Sequence, residues 1–279
     1  MSEVSGDLGK ALRALRGASG LTGETVARRA SMSPGKLSKI EHGKVLPSVV
    51  DTDLILTALG VSEAVKAQFL EQARAAATEE TAWRLIHRTG LWKHQQAIQA
   101  IEEHTERLRL FQGQLIPGLL QTPEYVAAIF ELIPGLSEES RARGIAARLA
   151  RQQALHDRSR SFHFLVCEHV LRWRICDPSI MAMQLDRLAS ASRLPNVTIG
   201  ILSQNTRMPD FPMTCFSLHD DRLVIVETFH SEITTRDPRD IRTYVETFDR
   251  FSSAAVYGHD MRIVAEGIRD EFLREQESR

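Results

Sequence analysis

The 279-residue sequence is short of several things that would place it quickly. It has three cysteines, Cys167, Cys176 and Cys215, an odd number set far apart among apolar residues. That usage suits reduced, buried thiols better than a disulfide framework. No uninterrupted apolar run approaches the roughly 18 residues of a membrane-crossing helix, and the opening MSEVSGDLGKALR lacks the apolar centre of a signal peptide. A cytoplasmic protein with no membrane partner is the expectation. Net charge is nearly absent as well: the formal value is -1, so no global field draws the chain toward nucleic acid, and any basic surface has to be local. Aromatic residues make up only 6%, beside 43% hydrophobic and 25% charged residues, the composition of an ordinary globular chain with length for about two domains.

The motifs of common chemistries are missing too. There is no H-E-x-x-H, no paired C-x-x-C and no GxxxxGK[ST] phosphate loop. No metal, no cofactor and no catalytic residue is therefore expected, and the chain reads as a non-enzyme. Cys167, Glu168 and His169 are adjacent, but alternate directions along a strand would separate Cys167 from Glu168. Glu168 and Glu227, each at a strand end, could meet as an acid-base pair, although pairing with arginines such as Arg172, Arg174 and Arg222 is the expected fate. Trp83, Trp92, Phe111 and Tyr125 fall at helical spacings that suit a core rather than a ligand pocket.

What is present is concentrated in the first seventy residues. Leu8, Ala11, Leu12 and Leu15 recur at i, i+3, i+4 and i+7, one face of a helix that Gly17 and Gly20 end. In LTGETVARRASMSPGKLSKI, Thr22 caps a helix that buries Val26, Ala27 and Ala30. Ser31 and Met32 turn the chain, and Ser33 caps a second short helix with Pro34 at its first position and Leu37 and Ile40 inward. Two short helices joined by such a turn are a helix-turn-helix. Ser31 stands where a glycine would take a left-handed turn conformation more easily. Two further helices follow, with Val50, Leu54, Ala58 and Leu59 expected to close a small core. Up to Pro47 there are eight basic residues against four acidic ones, the local positive surface that the average conceals. Glu41 is expected to tie the second motif helix to a neighbouring basic group.

LTGETVARRASMSPGKLSKIEHGKVLPS resembles the DNA-binding domain of the XRE family, the five-helix repressor-type helix-turn-helix of many bacterial and phage regulators, over about Leu8 to Gly60. The resemblance implies that the second motif helix enters the major groove of double-stranded operator DNA. The two positions after the cap, which often carry base-reading amides in that family, are Pro34 and Gly35 here, and they favour a tight approach of backbone to DNA. Direct readout would fall to Ser33, Lys36, Ser38 and Lys39. Thr22, Arg28, His42 and Lys44, with backbone N–H groups near Gly43, are better placed for phosphate.

Beyond about residue 78 the pattern changes. EQARAAATEE is expected to continue as a helix into TAWRLIHRTGLW, and residues 92 to 111 read as one long helix. Thr122 and Pro123 start another helix, and Ser137 an arginine-rich one. SFHFLVCE, VLRWRIC, NVTIGIL, MTCFSL and RLVIVET read as strands, with a helix capped by Asp177 between the second and third and two helices at the end. The expected fold is multidomain and mainly α. A helix-turn-helix domain over 1–78 precedes an α+β domain over 79–279 that holds a helical region and a small, mostly antiparallel sheet.

QLIPGLLQTPEYVAAIF, CEHVLRW, MAMQLDRLASASRLPNVTIGIL and VIVET resemble the C-terminal domain of the WhiJ-like XRE regulators, an antitoxin-like group often paired with a small partner protein. The implied function is a homodimeric, sequence-specific DNA-binding transcription regulator whose C-terminal domain dimerises and binds a small partner protein. A C-terminal small-molecule sensor that answers to an effector is the alternative of the same class. An interaction scaffold, or an enzyme with a non-reading helix-turn-helix, is the alternative of another class.

Overall fold

A computed structural model describes residues 3–83, 85, 86 and 90–277. The chain divides into two compact units, Met1–Glu80 with Thr234–Ile241, and Thr81–Ile233 with Arg242–Arg279.

The first unit is built on five helices: α1 (Glu3–Ser19), α2 (Gly23–Arg29), α3 (Pro34–Glu41), α4 (Val49–Leu59) and α5 (Glu63–Ala77). Their starts follow side-chain chemistry. The hydroxyls of Thr22, Ser33, Ser48 and Ser62 each accept the backbone N–H three residues on, at Thr25, Lys36, Asp51 and Val65. Such a cap contributes about 1 kcal/mol. Leu8, Leu12, Val26, Ala27, Ala30, Leu37, Ile40, Ile55 and Leu56 form one buried cluster, so the expected inner faces of α1, α2 and α3 are correct. For α4 the face shifts by one position: Val49, Ile55, Leu56 and Ala58 are inside, whereas Val50 and Leu54 are exposed. The run VVDTDLILTAL is apolar on nearly all sides, and apolarity alone does not choose among its faces. Ser31 does take the left-handed turn conformation, at φ 53°. One contact had no sequence signal: a Cβ added to Gly9 on α1 would stand 2.2 Å from the Ile40 carbonyl oxygen on α3, so only glycine permits this crossing.

A seven-stranded sheet has the order β1-β7-β6-β5-β2-β3-β4. The strands are β1 (Thr78–Ala82), β2 (Arg107–Gln112), β3 (Ser161–Cys167), β4 (Val197–Leu202), β5 (Phe216–His219), β6 (Leu223–Glu227) and β7 (Ser231–Thr235). In the second unit α6 (Leu91–Glu103), α7 (Pro123–Glu131), α8 (Glu138–Arg151), α9 (Pro178–Ala191), α10 (Pro238–Ala254) and α11 (Gly258–Glu277) accompany these strands. The pairs β2–β3 and β3–β4 are parallel, and β2–β5 and β5–β6 are antiparallel. The Trp83 N–H donates to the His230 carbonyl and the Arg236 N–H to the Ala77 carbonyl, so β1 and β7 are antiparallel too, and the sheet is mostly antiparallel, as expected, with its parallel pairs confined to β2–β3–β4. The parallel pairs are joined through α7 and α8, and through α9, because parallel neighbours need a long crossover.

Three further expectations are corrected. The long helix over 92–111 stops at Glu103, and its last five residues lie in the interior strand β2. Leu108 and Leu110 point to one side of β2. On the other, Phe111 meets Phe251 of α10 at 4.7 Å and Arg109 lies over Phe248 at 5.5 Å. A strand covered on both faces is apolar on both and loses its alternation. The run from Thr78 to Ala82 is strand, not continuing helix, and the rest of that expectation touches residues 84 and 87–89, outside the described residues. VLRWRIC forms no strand; a 3-10 turn spans Glu168–Arg172. Asp177 does precede α9, but its carboxylate makes no capping bond.

Candidate nucleic-acid interface

At about 100° per residue, the buried stripe of α3, Leu37, Ile40 and Glu41, leaves Gly35, Lys39 and His42 within about 30° of the opposite direction, with Ser38 and Lys36 on the two flanks. All of these outward residues are exposed. Pro34 and Gly35 are exposed as well, and a Cβ added to Gly35 would meet nothing within 4 Å. The protein's own packing therefore does not require glycine there.

The inner side of α3 is pinned by charge as well as by Leu37 and Ile40. Arg16 of α1 donates from Nε and Nη2 to the two carboxylate oxygens of Glu41 at 2.6 and 2.9 Å, and from Nη1 to the Leu21 carbonyl at 3.2 Å. The expected structural role of Glu41 is thus what its geometry serves, and Arg16 is withdrawn from the surface charge. Arg29 likewise turns back to the Ala58 carbonyl.

Among the eight residues singled out from sequence, the cations differ in what holds them. Lys36 is paired with Asp51 of α4 at 2.6 Å. Burial alone would raise the Asp51 carboxyl, but hydrogen bonds from Lys36 and Ser48 more than offset it and hold it below the usual range. With Lys36 about half exposed, this pair is worth only about 0–1 kcal/mol, so Lys36 can leave it for a stronger acceptor at small cost. Arg28, Lys39 and Lys44 are exposed and have no carboxylate partner among the described residues. Thr22 and Ser33 each spend an acceptor lone pair on their caps; the Ser33 O–H remains to donate, while the Thr22 hydroxyl also bonds the Thr25 hydroxyl at 2.9 Å. Ser38 lies beside His42, whose Nδ1 donates to the Ser38 carbonyl at 2.7 Å.

Arg13 of α1 was not among the expected site residues, yet its Nη1 reaches the His42 Nε2 at 3.4 Å and adds an exposed cation to this face. The two residues are 29 positions apart, so no local pattern could join them. One expectation fails. The N–H groups after α3 are not open to phosphate: Gly43 donates to Ile40 and Lys44 to Lys39, with Gly43 left-handed at φ 67°. This is a Schellman ending, which consumes the donors that a phosphate would need. Charge is also distributed unevenly along the first 80 residues. The excess of four basic residues up to Pro47 is cancelled between Ser48 and Glu80, where six acidic residues face two basic ones.

The second unit holds a cavity of about 160 Å³ between β2, β5, β6, α6 and α8. Arg148 and Arg151 of α8 line it. Arg151 is saturated, with both oxygens of Glu102 at 2.6 and 3.0 Å and Gln95 at 2.6 Å. Arg148 is not: its one hydrogen bond runs from Nη1 to Gln121 at 3.3 Å, and its buried Nε has no partner. Burial pushes the Arg148 guanidinium down to about 10. Glu227 and Glu168, considered above as a pair, go separate ways. Glu168 accepts from Arg172, Ser203 and Gln204, whereas Glu227 lines the cavity. Arg174 pairs with Glu275 and Arg222 with Asp220. The thiols of Cys167 and Cys176 are each pushed up to about 11, chiefly by burial, which leaves them as unreactive thiols, and no group of metal-binding side chains occurs among the described residues. Phe111 and Tyr125 are core residues, as expected, although Phe111 lies on a strand and not at a helical spacing. No described helix is long and apolar enough to cross a membrane.

Residues 7–69 match a helix-turn-helix domain family, and residues 95–263 match a domain of unknown function, DUF5753. No curated protein matches the chain. Among solved structures, the clp gene regulator ClgR from C. glutamicum is 32% identical over 27% of this chain and 95% of that one, with a TM-score of 0.23. TrmBL2, an archaeal chromatin protein with a novel mode of DNA binding, is 12% identical over 72% of this chain and 64% of its own, at 0.35. NucT from Helicobacter pylori is 10% identical over 65% of this chain and 98% of its own, at 0.39. All three superpose weakly on the whole chain. The N-terminal unit is a helix-turn-helix domain, the kind that DNA-binding transcription regulators carry. Because the match to the domain of unknown function spans more than half of its length, this chain belongs to the DUF5753 family, with a helix-turn-helix placed ahead of the family domain.

Proposed function

We propose that the protein is a transcription regulator that binds double-stranded operator DNA through α3. The observation that carries this reading is the contrast between the two sides of α3. Its inner side is locked by Leu37, Ile40 and the Arg16–Glu41 pair. Its outer side presents Gly35, Ser38, Lys39 and His42, with the unpaired Arg28 and Lys44 close in sequence to its two ends. On a duplex, Ser33, Lys36, Ser38 and Lys39 face base edges, the lysines suiting guanine O6 and N7. Thr22, Arg28, His42 and Lys44 hold phosphate and set the register. Such a protein works in the cytoplasm, without catalysis.

Binding as a homodimer would set two copies of α3 about 34 Å apart, on a near-palindromic site. A small partner protein is the proposed occupant of the C-terminal unit's surface, where Phe211 is 70% and Met213 82% exposed in one polar, proline-containing loop. The cavity favours a second reading of that unit, a sensor that answers to a small-molecule effector. Recovery of DNA bound to the full chain in its own cells, with the proteins that accompany it, tests the proposal. A recurrent two-half motif ten to eleven base pairs between centres is the expected result, and recovery of unrelated sequences in proportion to their abundance would refute it.

A further inference from the structure

The cavity of the second unit is lined by two groups of opposite charge, Arg148 and Glu227, and neither forms an ion pair among the described residues. Arg148 enters from α8 and stacks on Phe130, with its guanidinium carbon 4.8 Å from the ring centroid. Its Nε is buried and unbonded, and no carboxylate stands within ion-pair distance of it among the described residues. Glu227 enters from the end of β6 and makes no hydrogen bond and no ion pair among the described residues. Its side chain is exposed and lines the cavity. Arg151, the other arginine on this wall, is already neutralised by Glu102.

A buried polar atom such as the Arg148 Nε is paired in the great majority of cases, and the exception calls for an occupant. Here the two poles do not satisfy each other. An occupant has to offer an acceptor to Arg148 and a donor to Glu227 at the same time. A purely anionic molecule would meet the Glu227 carboxylate, and a purely cationic one the Arg148 guanidinium. Between the poles the wall is aliphatic, with Leu108, Leu110 and Ile225, which gives an apolar body somewhere to lie. A cavity of about 160 Å³ is close to the roughly 150 Å³ that holds benzene, so the occupant has on the order of six to ten heavy atoms.

We propose that this cavity is the binding site for a small zwitterion of amino-acid size, whose carboxylate is held by Arg148 and whose ammonium group is held by Glu227. This deepens the effector reading of the C-terminal unit and does not depend on DNA binding. Protonation of Glu227 fits the same picture. Burial first, and then the nearby Glu232 carboxylate, push the Glu227 carboxyl up, against the lowering influence of His94, Arg148 and Arg151. An ammonium group arriving beside it would favour the ionised form.

The test uses the full chain without DNA. Thermal stability is measured against each of the twenty standard L-amino acids. For the amino acid that shifts the midpoint most, calorimetric titration compares it with its amine and its acid, each lacking one pole. At least one amino acid raises the midpoint, and both one-pole analogues bind at least tenfold more weakly. Glu227→Gln preserves shape and Arg148→Lys preserves charge but not the guanidinium fork; in protein whose circular dichroism matches the wild type, each weakens binding at least tenfold. No shift across the panel overturns the proposal. So does an acid analogue that binds as well as the amino acid, or a Glu227→Gln variant with unchanged affinity. Operator binding by the wild-type chain is titrated separately without ligand; its absence would count against the helix-turn-helix reading and not against this site.

Discussion

Replacing Gly35 by alanine separates the demands of the protein from those of its duplex. In the free protein nothing lies within 4 Å of the added methyl group, and the backbone at Gly35 is not left-handed. The only intrinsic consequence is conformational: alanine in a helix is better than glycine by roughly 0.5–1 kcal/mol, at the low end here because Gly35 is in the first turn. On DNA the same methyl group sits at the centre of the outward face, where the absence of a side chain lets the backbone approach. Forcing a methyl group into a close-packed contact costs about 1–3 kcal/mol. That corresponds to a loss of affinity of roughly five- to 150-fold. Thermal melting by circular dichroism and an anisotropy titration with the recovered operator read the two effects on one sample. Stability should hold or rise while affinity falls. A Gly35→Ala protein that binds its operator as tightly as the wild type would refute the close approach of α3.

Other substitutions test the frame behind that face. Gly9→Ala should destabilise the first unit by about 1–3 kcal/mol, because the new Cβ would stand 2.2 Å from the Ile40 carbonyl, whereas Gly17→Ala in the same helix meets nothing and should stabilise it by up to about 1 kcal/mol; urea unfolding followed by circular dichroism distinguishes the signs. Arg16→Ala leaves Glu41 buried without its partner and should cost about 2–3 kcal/mol, less than for a fully buried pair because Arg16 is 22% exposed. Hydrogen exchange over residues 34–45 is the readout, since it reports this unit alone, and Arg16→Met combined with Glu41→Leu should recover most of the loss. In the second unit, burial pushes His219 down to about 4, and Thr105 and Ser217 bond its ring. The folded state therefore binds fewer protons than the unfolded one below about pH 6.5, and the contribution of His219 is full above that value and lost as pH falls toward 4, on the order of 3 kcal/mol in all. His163, lowered to about 4 by burial and then by Arg109, acts in the same direction. His219→Asn should flatten the fall in urea midpoint between pH 7 and pH 4.5, and an unchanged slope would contradict this account.

The parts of the structure that were legible in sequence are those fixed by local chemistry. Ser33 and Pro34 specify where α3 starts, and Leu37 and Ile40 specify which side goes in, through interactions that span four residues or fewer. Thr122 with Pro123, and Ser137, announce α7 and α8 in the same way. What was not legible depends on pairs far apart in the chain. β2 hid because apolar residues cover both of its sides, and the face of α4 hid because its run is apolar nearly throughout. At the candidate interface, residue types suggested the cations but could not tell Lys36, held by Asp51, from Lys39, held by nothing described. The N–H groups beyond α3 seemed free for phosphate until the left-handed Gly43 turned them back on the helix. The cavity was invisible for a plainer reason: Arg148 and Glu227 are 79 positions apart and meet only through the sheet.

The most direct test of the central claim is the salt dependence of duplex binding by the full chain. Each phosphate neutralised by a lysine or arginine contributes about -0.9 to the slope of log affinity against log salt. The phosphate-holding Arg28 and Lys44 therefore predict a slope of about -2 for one copy and about -4 for two, and each single alanine variant makes it shallower by about 0.9 per copy. A slope near zero, or one that the two alanine variants leave unchanged, would contradict the assignment of this face to DNA.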